Sequence, residues 1–379
     1  MLEKPVEGPR SIVGAGLTPA ALGGPTNPLQ VAIIGYGLAG SVFHAPLVAS
    51  TTGMTVAAIV TNHPERQEQA RRDFPRAAML STAQDLWHNA SDYHLVVVAA
   101  PNRAHLPLGL AAMNAGLPVV IDKPFAASVA DAEQLIATSS RTGKLLTVFQ
   151  NRRWDGDFLM VRQLIATDLL GPITRFESRF DRYRAEPRPG AWRELPAPEE
   201  AGGLLFDLGS HLIDQALLLF GQPVSVYAEV DRRRPTAQVD DDTFVALTFS
   251  DGVRAHLWMS LVARNPGPRL RVNGLYGTYE KWGVDPQEDA LKAGMRPGDP
   301  DWGREPKERW GRLSSDFNGV HIDGSLETFP GAYERYYALL RDALLTGGPP
   351  PVDPADAVAS LRVIEAAQQS ASTGTVISL

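Results

Sequence analysis

The chain has 379 residues, of which 44% are hydrophobic and 21% charged, and its formal net charge at pH 7 is −7. This length favours two domains over one, and the composition is typical of a globular protein. The acidic balance argues against nucleic-acid and anionic-membrane partners. Since the sequence contains no cysteine, disulfides and thiolate metal sites are excluded.

The N-terminal 28 residues are rich in Gly, Pro and Ala and lack a basic start followed by an apolar core. We expect residues 1–28 to form a flexible arm rather than a signal peptide. We expect no apolar stretch to approach the roughly 20 residues that are needed to cross a bilayer. The sequence therefore predicts a cytoplasmic protein without a membrane span.

Residues 29–150 alternate short apolar runs with helical patterns, which predicts a doubly wound parallel sheet of the Rossmann type. The predicted strands cover residues 31–34, 56–60, 95–100, 119–121 and 145–149. The predicted crossover helices cover residues 64–73, 105–115 and 129–139. In such a sheet, ligands bind at the carboxyl ends of the strands.

Residues 151–379 have a different pattern, which predicts an α+β domain with a large, mainly antiparallel open sheet. Its strands are expected over residues 173–183, 224–230, 243–249, 253–261 and 270–273. Its helices are expected over residues 157–167, 207–220, 333–345 and 354–372. Residues 283–312 are rich in Pro, Gly and charge, so we expect an irregular surface segment there.

A glycine-rich turn directly follows the first predicted strand. Such a turn lets backbone N–H groups approach a pyrophosphate at the positive end of a helix dipole. Glycine-rich turns are common, so a merely tight turn is the alternative, but the strand before it and the helix after it favour a dinucleotide site. The residues predicted to bind the cofactor here are Gly35, Tyr36, Gly37, Leu38, Ala39 and Gly40.

The end of the second predicted strand bears on the choice of cofactor. An NAD site usually has an acidic residue there to bind the ribose hydroxyl, whereas this chain has Thr61, Asn62 and His63. Glu65 is the nearest acid, and its spacing from Asn62 predicts a helix capping box with Asn62 as the cap. Thr61, Asn62 and Arg66 can instead donate to a 2′-phosphate. We therefore predict NADP, with NAD as the alternative.

Two later strands end at the same edge of the predicted sheet. Ala100, Pro101 and Asn102 close the strand predicted over residues 95–100, and His105 begins the helix after it. His105 either donates to cofactor or substrate or caps the local turn, and the pattern leaves both open.

The next strand ends in Asp122, Lys123 and a proline. A lysine at this edge would lie beside the nicotinamide, although most lysines are solvated surface residues. This spacing alone therefore leaves the role of Lys123 open.

Asp207 and His211 are four residues apart on a predicted helix and share one face with Asp214. One imidazole and two carboxylates without a further ligand nearby are too few for a metal site, so we predict no metal. A structural carboxylate–histidine pair and a general acid–base site both remain open. An imidazole can take the proton of an alcohol near neutral pH, which favours the acid–base site if this face opens onto the crevice.

Together these motifs resemble the Gfo/Idh/MocA family of nicotinamide-dependent oxidoreductases. The resemblance rests on G-Y-G-L-A-G, A-A-P-N-R-A-H, D-K-P in place of the family's E-K-P, and G-G-L-L-F-D-L-G-S-H. Within the family, the chain is most similar to the NADP-dependent scyllo-inositol dehydrogenase branch. The motifs for that branch include F-Q-N-R-R-W-D-G-D-F, F-D-R-Y-R-A-E and G-V-D-P-Q-E-D-A-L-K-A-G.

The resemblance implies a catalytic trio of Lys123, Asp207 and His211. His211 would exchange the proton of the hydroxyl, Lys123 would hydrogen-bond the reacting oxygen, and Asp207 would orient the substrate hydroxyls and hold the other two. Asp122 stands where the family has Glu, so its reach to the nicotinamide ribose is shortened by one methylene.

The resemblance also implies roles around this trio. Pro101, Asn102 and His105 would line the nicotinamide half of the site. Arg152, Arg153 and Trp154 would contact cofactor or substrate, with interface packing as the alternative for Trp154. Several subunits would associate through the exposed face of the open sheet, as a homodimer or homotetramer.

These expectations predict an NADP-dependent oxidoreductase that interconverts a hydroxyl of a cyclic polyol or sugar with its ketone. The lead pair is scyllo-inositol and its inosose. A non-catalytic nucleotide sensor and a redox-assisted glycosidase are the alternatives on the same fold. Reduction of an imine or linear tetrapyrrole is a third, which the hydroxyl-facing Asp207 and His211 disfavour.

Overall fold

The computed structural model describes residues 27–187 and 192–379. The arm predicted over residues 1–28 therefore lies almost wholly outside the described residues.

The first sheet has six parallel strands in the order β3-β2-β1-β4-β5-β6. They are β1 (Leu29–Ile34), β2 (Met54–Val60), β3 (Ala78–Leu80), β4 (Leu95–Val98), β5 (Val119–Asp122) and β6 (Leu146–Phe149). This strand order is that of dinucleotide-binding doubly wound sheets and confirms the predicted fold class. The prediction missed β3, which has three residues and lies at the edge of the sheet, where it is only partly buried.

Five α-helices of the described residues surround this sheet, and the start of one of them differs from the sequence prediction. They are α1 (Ala45–Ser50), α2 (Pro64–Asp73), α3 (Ala83–His88), α4 (His105–Asn114) and α5 (Val129–Thr142). The capping box predicted at Asn62 is wrong, because His63 is the N-cap of α2 and makes no side-chain capping bond. Pro64 occupies the first helical position and disfavours helical geometry in the residue before it, so the helix begins after His63.

The second sheet has nine strands in the order β14-β13-β12-β11-β7-β10-β9-β8-β15. They are β7 (Ile173–Asp181), β8 (Pro223–Asp231), β9 (Asp242–Phe249), β10 (Arg254–Ser260), β11 (Leu270–Gly274), β12 (Gly277–Lys281), β13 (Gly311–Phe317), β14 (Val320–Leu326) and β15 (Ile377–Ser378). The β7–β10 pair is parallel and the other neighbours are antiparallel, which confirms a mainly antiparallel second sheet.

The second sheet is covered on one face, and side chains alternate along its strands. In β9, Val245 and Leu247 are fully buried, whereas Phe244 and Ala246 point to the other face and are half-buried. The remaining helices are α6 (Gly156–Ala166), α7 (Ser210–Phe220), α8 (Gln287–Lys292), α9 (Glu334–Thr346) and α10 (Pro354–Thr373). Of these, α8 lies inside the stretch predicted to be irregular.

The C-terminal helices return to the first sheet. In α10, Glu365 accepts a hydrogen bond of 2.8 Å from the backbone N–H of Val129 at the start of α5. The hydroxyl of Thr147 in β6 donates to the carbonyl of Val352 at 2.8 Å, just before α10. Because this part of the chain packs on both sheets, the division into residues 29–150 and 151–379 stays a proposal.

The stretch Pro198–Phe220 corrects the expectation that no segment is apolar enough to cross a membrane. Its length and its mean hydropathy of 1.3 meet the criteria for a span. However, 72% of the apolar 18-residue part of this stretch lies buried inside the fold. The core helix of a soluble protein passes the same test, so this is weak evidence for a span.

Candidate active site

A cleft of about 310 Å³ lies where the two parts of the chain meet. Residues 38, 39, 122 and 123 come from the first part of the chain, and residues 152, 207 and 211 from the second. The structure therefore brings together predicted site residues that are distant from one another in the sequence. The predicted site residues that line the cleft are Leu38, Ala39, Asp122, Lys123, Arg152, Asp207 and His211.

Lys123 and Asp207 form the link between the two parts. Lys123 follows β5, and its Nζ donates to the Oδ1 of Asp207 at 2.7 Å and to the backbone carbonyl of Asp207 at 2.6 Å. Arg193 donates from Nε to the same Oδ1 at 2.9 Å. Burial opposes ionisation of Asp207, but the two cations prevail and hold the pKa of this carboxyl far below its usual range. Asp207 is therefore a carboxylate that fixes the ammonium group of Lys123.

His211 lies one turn beyond Asp207, at the start of α7, and is 4% exposed. Its Nδ1 lies 3.2 Å from the Oε1 of Gln150, at the end of β6. An amide oxygen can only accept, so Nδ1 carries the proton and Nε2 is the ring nitrogen with a free lone pair. Burial, followed by the charges of Lys123 and Arg152, lowers the pKa of His211 well below its usual value. The imidazole is therefore neutral at neutral pH.

Asp122 is the last residue of β5 and also faces the cleft. Its Oδ1 accepts from the backbone N–H of Lys123 at 2.8 Å and lies 3.8 Å from Nε2 of the buried His44. Burial raises the pKa of Asp122, but His44 and Lys123 outweigh it and hold the pKa below its usual value. Nδ1 of His44 is 2.6 Å from the hydroxyl of Tyr337, which fixes the ring.

The glycine turn has room for a ligand at one of its three glycines. A Cβ on Gly35 would collide with the carbonyl of Ala99, and one on Gly40 would collide with the carbonyl of Gly35. These two glycines are needed for close packing of the turn itself. A Cβ on Gly37 would meet nothing nearer than Nη1 of Arg66, at 3.8 Å. The open side of Gly37 fits the close approach that a pyrophosphate makes to such a turn.

The remaining residues chosen for the adenosine end lie near this turn. Thr61 is buried, and its hydroxyl accepts from the backbone N–H of His63 at 3.4 Å. Asn62 and Arg66 are exposed. Tyr36 is buried, and its hydroxyl donates to Asp73 at 2.8 Å. The guanidinium of Arg66 is thus the cation that borders the open side of Gly37.

The residues predicted for the nicotinamide half are tied to other parts of the structure. Asn102 donates to the carbonyl of Glu200 at 2.7 Å. The two ring nitrogens of His105 lie 2.9 Å from the carbonyl of Pro124 and 3.0 Å from that of Ala100. Burial lowers the pKa of His105. Contacts of Ala100, Pro101, Asn102 and His105 with a cofactor stay predictions.

Arg152, Arg153 and Trp154 follow β6 in the chain and lie in three different environments. Arg152 lines the cleft and donates to Glu288 at 2.8 Å. Arg153 forms a buried ion pair with Asp214 at 2.6 Å, so Asp214 serves to hold this turn. Trp154 is 7% exposed and packs edge-on against Tyr336, with the ring centroids 5.7 Å apart. This contact favours the packing alternative for Trp154.

The residues of this site that sequence reasoning missed include His44, Gln150 and Arg193. Gln150 directly follows a predicted strand, so its place at the sheet edge was a usable signal. Arg193 lies in a segment without periodicity, and His44 has no signal in the local pattern. Within the described parts of the chain, no group of three His, Asp or Glu residues is arranged to hold a metal.

Comparisons with known proteins agree with the observed fold. A family model described as "Oxidoreductase family, NAD-binding Rossmann fold" matches residues 29–150. A second, described as "Oxidoreductase family, C-terminal alpha/beta domain", matches residues 162–379.

The matches to individual relatives extend over most of this chain and most of each relative. The uncharacterized oxidoreductase YdgJ of Escherichia coli is 38% identical over 90% of this chain and 96% of its own. The scyllo-inositol 2-dehydrogenase (NADP(+)) IolW of Bacillus subtilis is 36% identical over 93% of this chain and 96% of its own. The structure of yvaA from Bacillus subtilis is 34% identical, covers 93% of this chain and 98% of its own, and has a TM-score of 0.87. The chain belongs to the Gfo/Idh/MocA family of oxidoreductases, with an N-terminal NAD-binding Rossmann fold.

Proposed function

We propose that this protein is an NADP-dependent dehydrogenase that oxidises a hydroxyl of a cyclic polyol or sugar and reduces the corresponding ketone. The lead substrate pair is scyllo-inositol and its inosose. The observation that carries the proposal is the meeting of Lys123, Asp207 and His211 in one cleft with the glycine-turn residues Leu38 and Ala39.

We assign to Lys123 the hydrogen bond to the reacting oxygen of the substrate. Its ammonium has three donors, and Asp207 accepts from it at 2.7 Å and 2.6 Å through the side chain and the backbone. A third donor is left for a substrate hydroxyl or carbonyl oxygen. A positive donor at this oxygen stabilises the negative charge that develops on it during proton removal.

We assign to His211 the transfer of the proton of the substrate hydroxyl. Its low pKa keeps the ring neutral, and its bond to Gln150 leaves Nε2 as the acceptor. In the oxidation direction Nε2 takes the hydroxyl proton, and in the reduction direction it returns a proton to the oxygen. The nicotinamide, when bound, supplies the hydride acceptor or donor. Asp207 holds the ammonium group during both directions.

The choice of NADP rests on the absence of an acid where an NAD site usually has one. Thr61 and Asn62 follow β2, and the guanidinium of Arg66 lies beside Gly37. A cation at this place favours a 2′-phosphate over a free hydroxyl. The relative IolW is named as an NADP(+) enzyme, which supports the same choice. NAD remains the alternative cofactor.

We further propose a cytoplasmic homodimer or homotetramer that associates through the uncovered face of the second sheet. Phe244 and Trp258 are half-buried on that face, with ring centroids 5.2 Å apart, and the guanidinium of Arg179 lies 3.8 Å from the Trp258 ring. Burying such aromatic area in a subunit interface is favourable.

The test is a panel of inositols, other cyclic polyols and aldoses, assayed for reduction of NADP and of NAD by the absorbance of the reduced cofactor. We expect turnover with at least one cyclic polyol and a preference for NADP. Inactivity on every polyol and sugar contradicts the substrate class, and a strong preference for NAD contradicts the cofactor.

Two variants separate the proposal from its alternatives. Lys123→Met and His211→Ala are each expected to lower kcat by a factor on the order of 10² to 10⁴, with binding of NADPH retained. A nucleotide sensor would show no turnover to lose. A redox-assisted glycosidase would cleave glycosides without net formation of NADPH.

A further inference from the structure

The segment G-V-D-P-Q-E-D-A-L-K-A-G, residues 283–294, is used by neither the catalytic trio nor the glycine turn. Its start is anchored in the core. Asp285 accepts from the backbone N–H of Gly156 at 2.7 Å, and Gln287, which is fully buried, accepts from the backbone N–H of Tyr333 at 2.7 Å. The segment therefore has a defined position, and the helix α8 that follows it is held in place.

This anchor sets α8 against the cofactor side of the cleft. The helix packs on the turn Ala39–His44, which begins at the glycine motif. Lys292, in the last turn of α8, lines the same cleft as Leu38 and Ala39. A positive side chain from the second part of the chain is thus carried by a helix that packs on the segment directly after the glycine turn and shares the cleft with Leu38 and Ala39.

The charges along α8 leave Lys292 available to a ligand. Glu288 accepts from Lys292 at 2.7 Å, but it also accepts from Arg152 at 2.8 Å. Asp289 also lies 3.7 Å from the ammonium group of Lys292, but its side chain is 90% exposed to solvent. Burial opposes the charge of Glu288, and Arg152 followed by Lys292 lowers its pKa below the usual value. Because the buried Arg152 already balances the charge of Glu288, the ammonium group of Lys292 can also donate a hydrogen bond to a bound anion. The side chain of Lys292 is 42% exposed, which gives it freedom to do so.

We propose that Lys292 binds the pyrophosphate of the nicotinamide cofactor and closes the site from the side opposite the glycine turn. Backbone N–H groups at the helix start supply one side of the anion site, and they carry only partial charge. An ammonium group on the other side adds a full charge and a charge-assisted hydrogen bond. The helix α8 thereby makes cofactor binding depend on residues from both parts of the chain.

This inference rests on the proposed use of a dinucleotide, so its test measures binding directly. Lys292→Gln, Lys292→Arg and the wild-type protein are titrated with NADPH and with NADH, followed by cofactor fluorescence at several salt concentrations. Lys307→Gln is the matched control, because Lys307 lies in the Pro-, Gly- and charge-rich stretch 283–312 that also contains Lys292. Lys307 is exposed, and the cleft lining does not include it.

The expected result is a weakening of about tenfold for both cofactors in Lys292→Gln, since both carry the pyrophosphate. Lys292→Arg retains the charge and should bind within a few-fold of wild type, as should Lys307→Gln. The salt dependence of binding should be shallower in Lys292→Gln than in wild type.

Three results would overturn the inference. These are unchanged binding in Lys292→Gln, a loss confined to NADPH, which would place the contact at the 2′-phosphate, and an equal loss in Lys307→Gln. If the wild-type protein binds neither cofactor, the proposed function itself fails, and this outcome is distinct from the other three.

Discussion

Gln150 is expected to control catalysis through His211 without touching the substrate. It is 3% exposed, and its Oε1 is the acceptor for Nδ1 of the imidazole at 3.2 Å. Gln150→Leu keeps a similar volume but leaves a buried N–H without an acceptor and frees the ring to change tautomer. The other tautomer would present N–H, rather than a lone pair, to the substrate hydroxyl.

The size of the effect follows from the bond that is lost. An orphaned buried donor costs about 1–3 kcal/mol. Because this bond is neutral and 3.2 Å long, we expect the lower part of that range. About 1.4 kcal/mol corresponds to a tenfold change, so kcat should fall about tenfold, with little change in KM.

The assay is steady-state oxidation of the best polyol across a range of pH, together with NADPH titration to verify that the cofactor site is intact. Gln150→Glu is the informative partner variant. Its carboxylate still accepts from Nδ1 but also stabilises the imidazolium, so the pKa of His211 should rise and the acidic limb of kcat/KM should move to higher pH. If Gln150→Leu retains the wild-type kcat and pH profile, Gln150 does not position His211.

Three further predictions concern the base, the cofactor and the fold. Burial and the charges of Lys123 and Arg152 depress the pKa of His211, so for polyol oxidation, which needs the neutral ring, kcat/KM should hold its plateau to well below about pH 6.5; an acidic limb near that value contradicts the assignment. Arg66→Ala should weaken NADPH binding by about tenfold and leave NADH binding unchanged, because only the former carries the 2′-phosphate; an equal loss for both in titrations argues against this contact. Gly331→Ala should lower the free energy of unfolding by about 1–3 kcal/mol, since its Cβ would collide with buried amide and carboxylate atoms of the anchored segment. Gly324→Ala, whose Cβ would meet nothing within 4 Å, is the control in the same denaturant experiment, and equal stability of the two variants refutes the packing argument.

The first sheet and its glycine turn could be predicted from local pattern. Parallel strands that are buried on both faces have continuous apolar runs, and β4 and β5 match the predicted runs closely at their starts. The turn at Gly35 was recognisable because its glycines stand between an apolar strand pattern and a helical pattern. In the structure, a Cβ on Gly35 would collide with the carbonyl of Ala99.

The second sheet was harder to predict at its edge. β14 is largely exposed, and its side chains alternate weakly between polar and apolar. The helix α8 is six residues long, and its buried Gln287 is polar, so no apolar period marks it. Elements whose stability comes from buried polar contacts give little hydrophobic signal.

The amino-acid sequence by itself determined the fold class and the position of the glycine turn, because each depends on residues that are neighbours in the chain. The catalytic candidates came from the family resemblance, since the spacing of the residues alone left their roles open. Only the tertiary structure decided how those candidates combine. Lys123 and Asp207 are 84 residues apart, and Gln150 and His211 are 61 apart. No local period encodes such pairs, since they form only when the packing of two sheets brings distant segments to one cleft, and that packing also produces the low pKa of the imidazole.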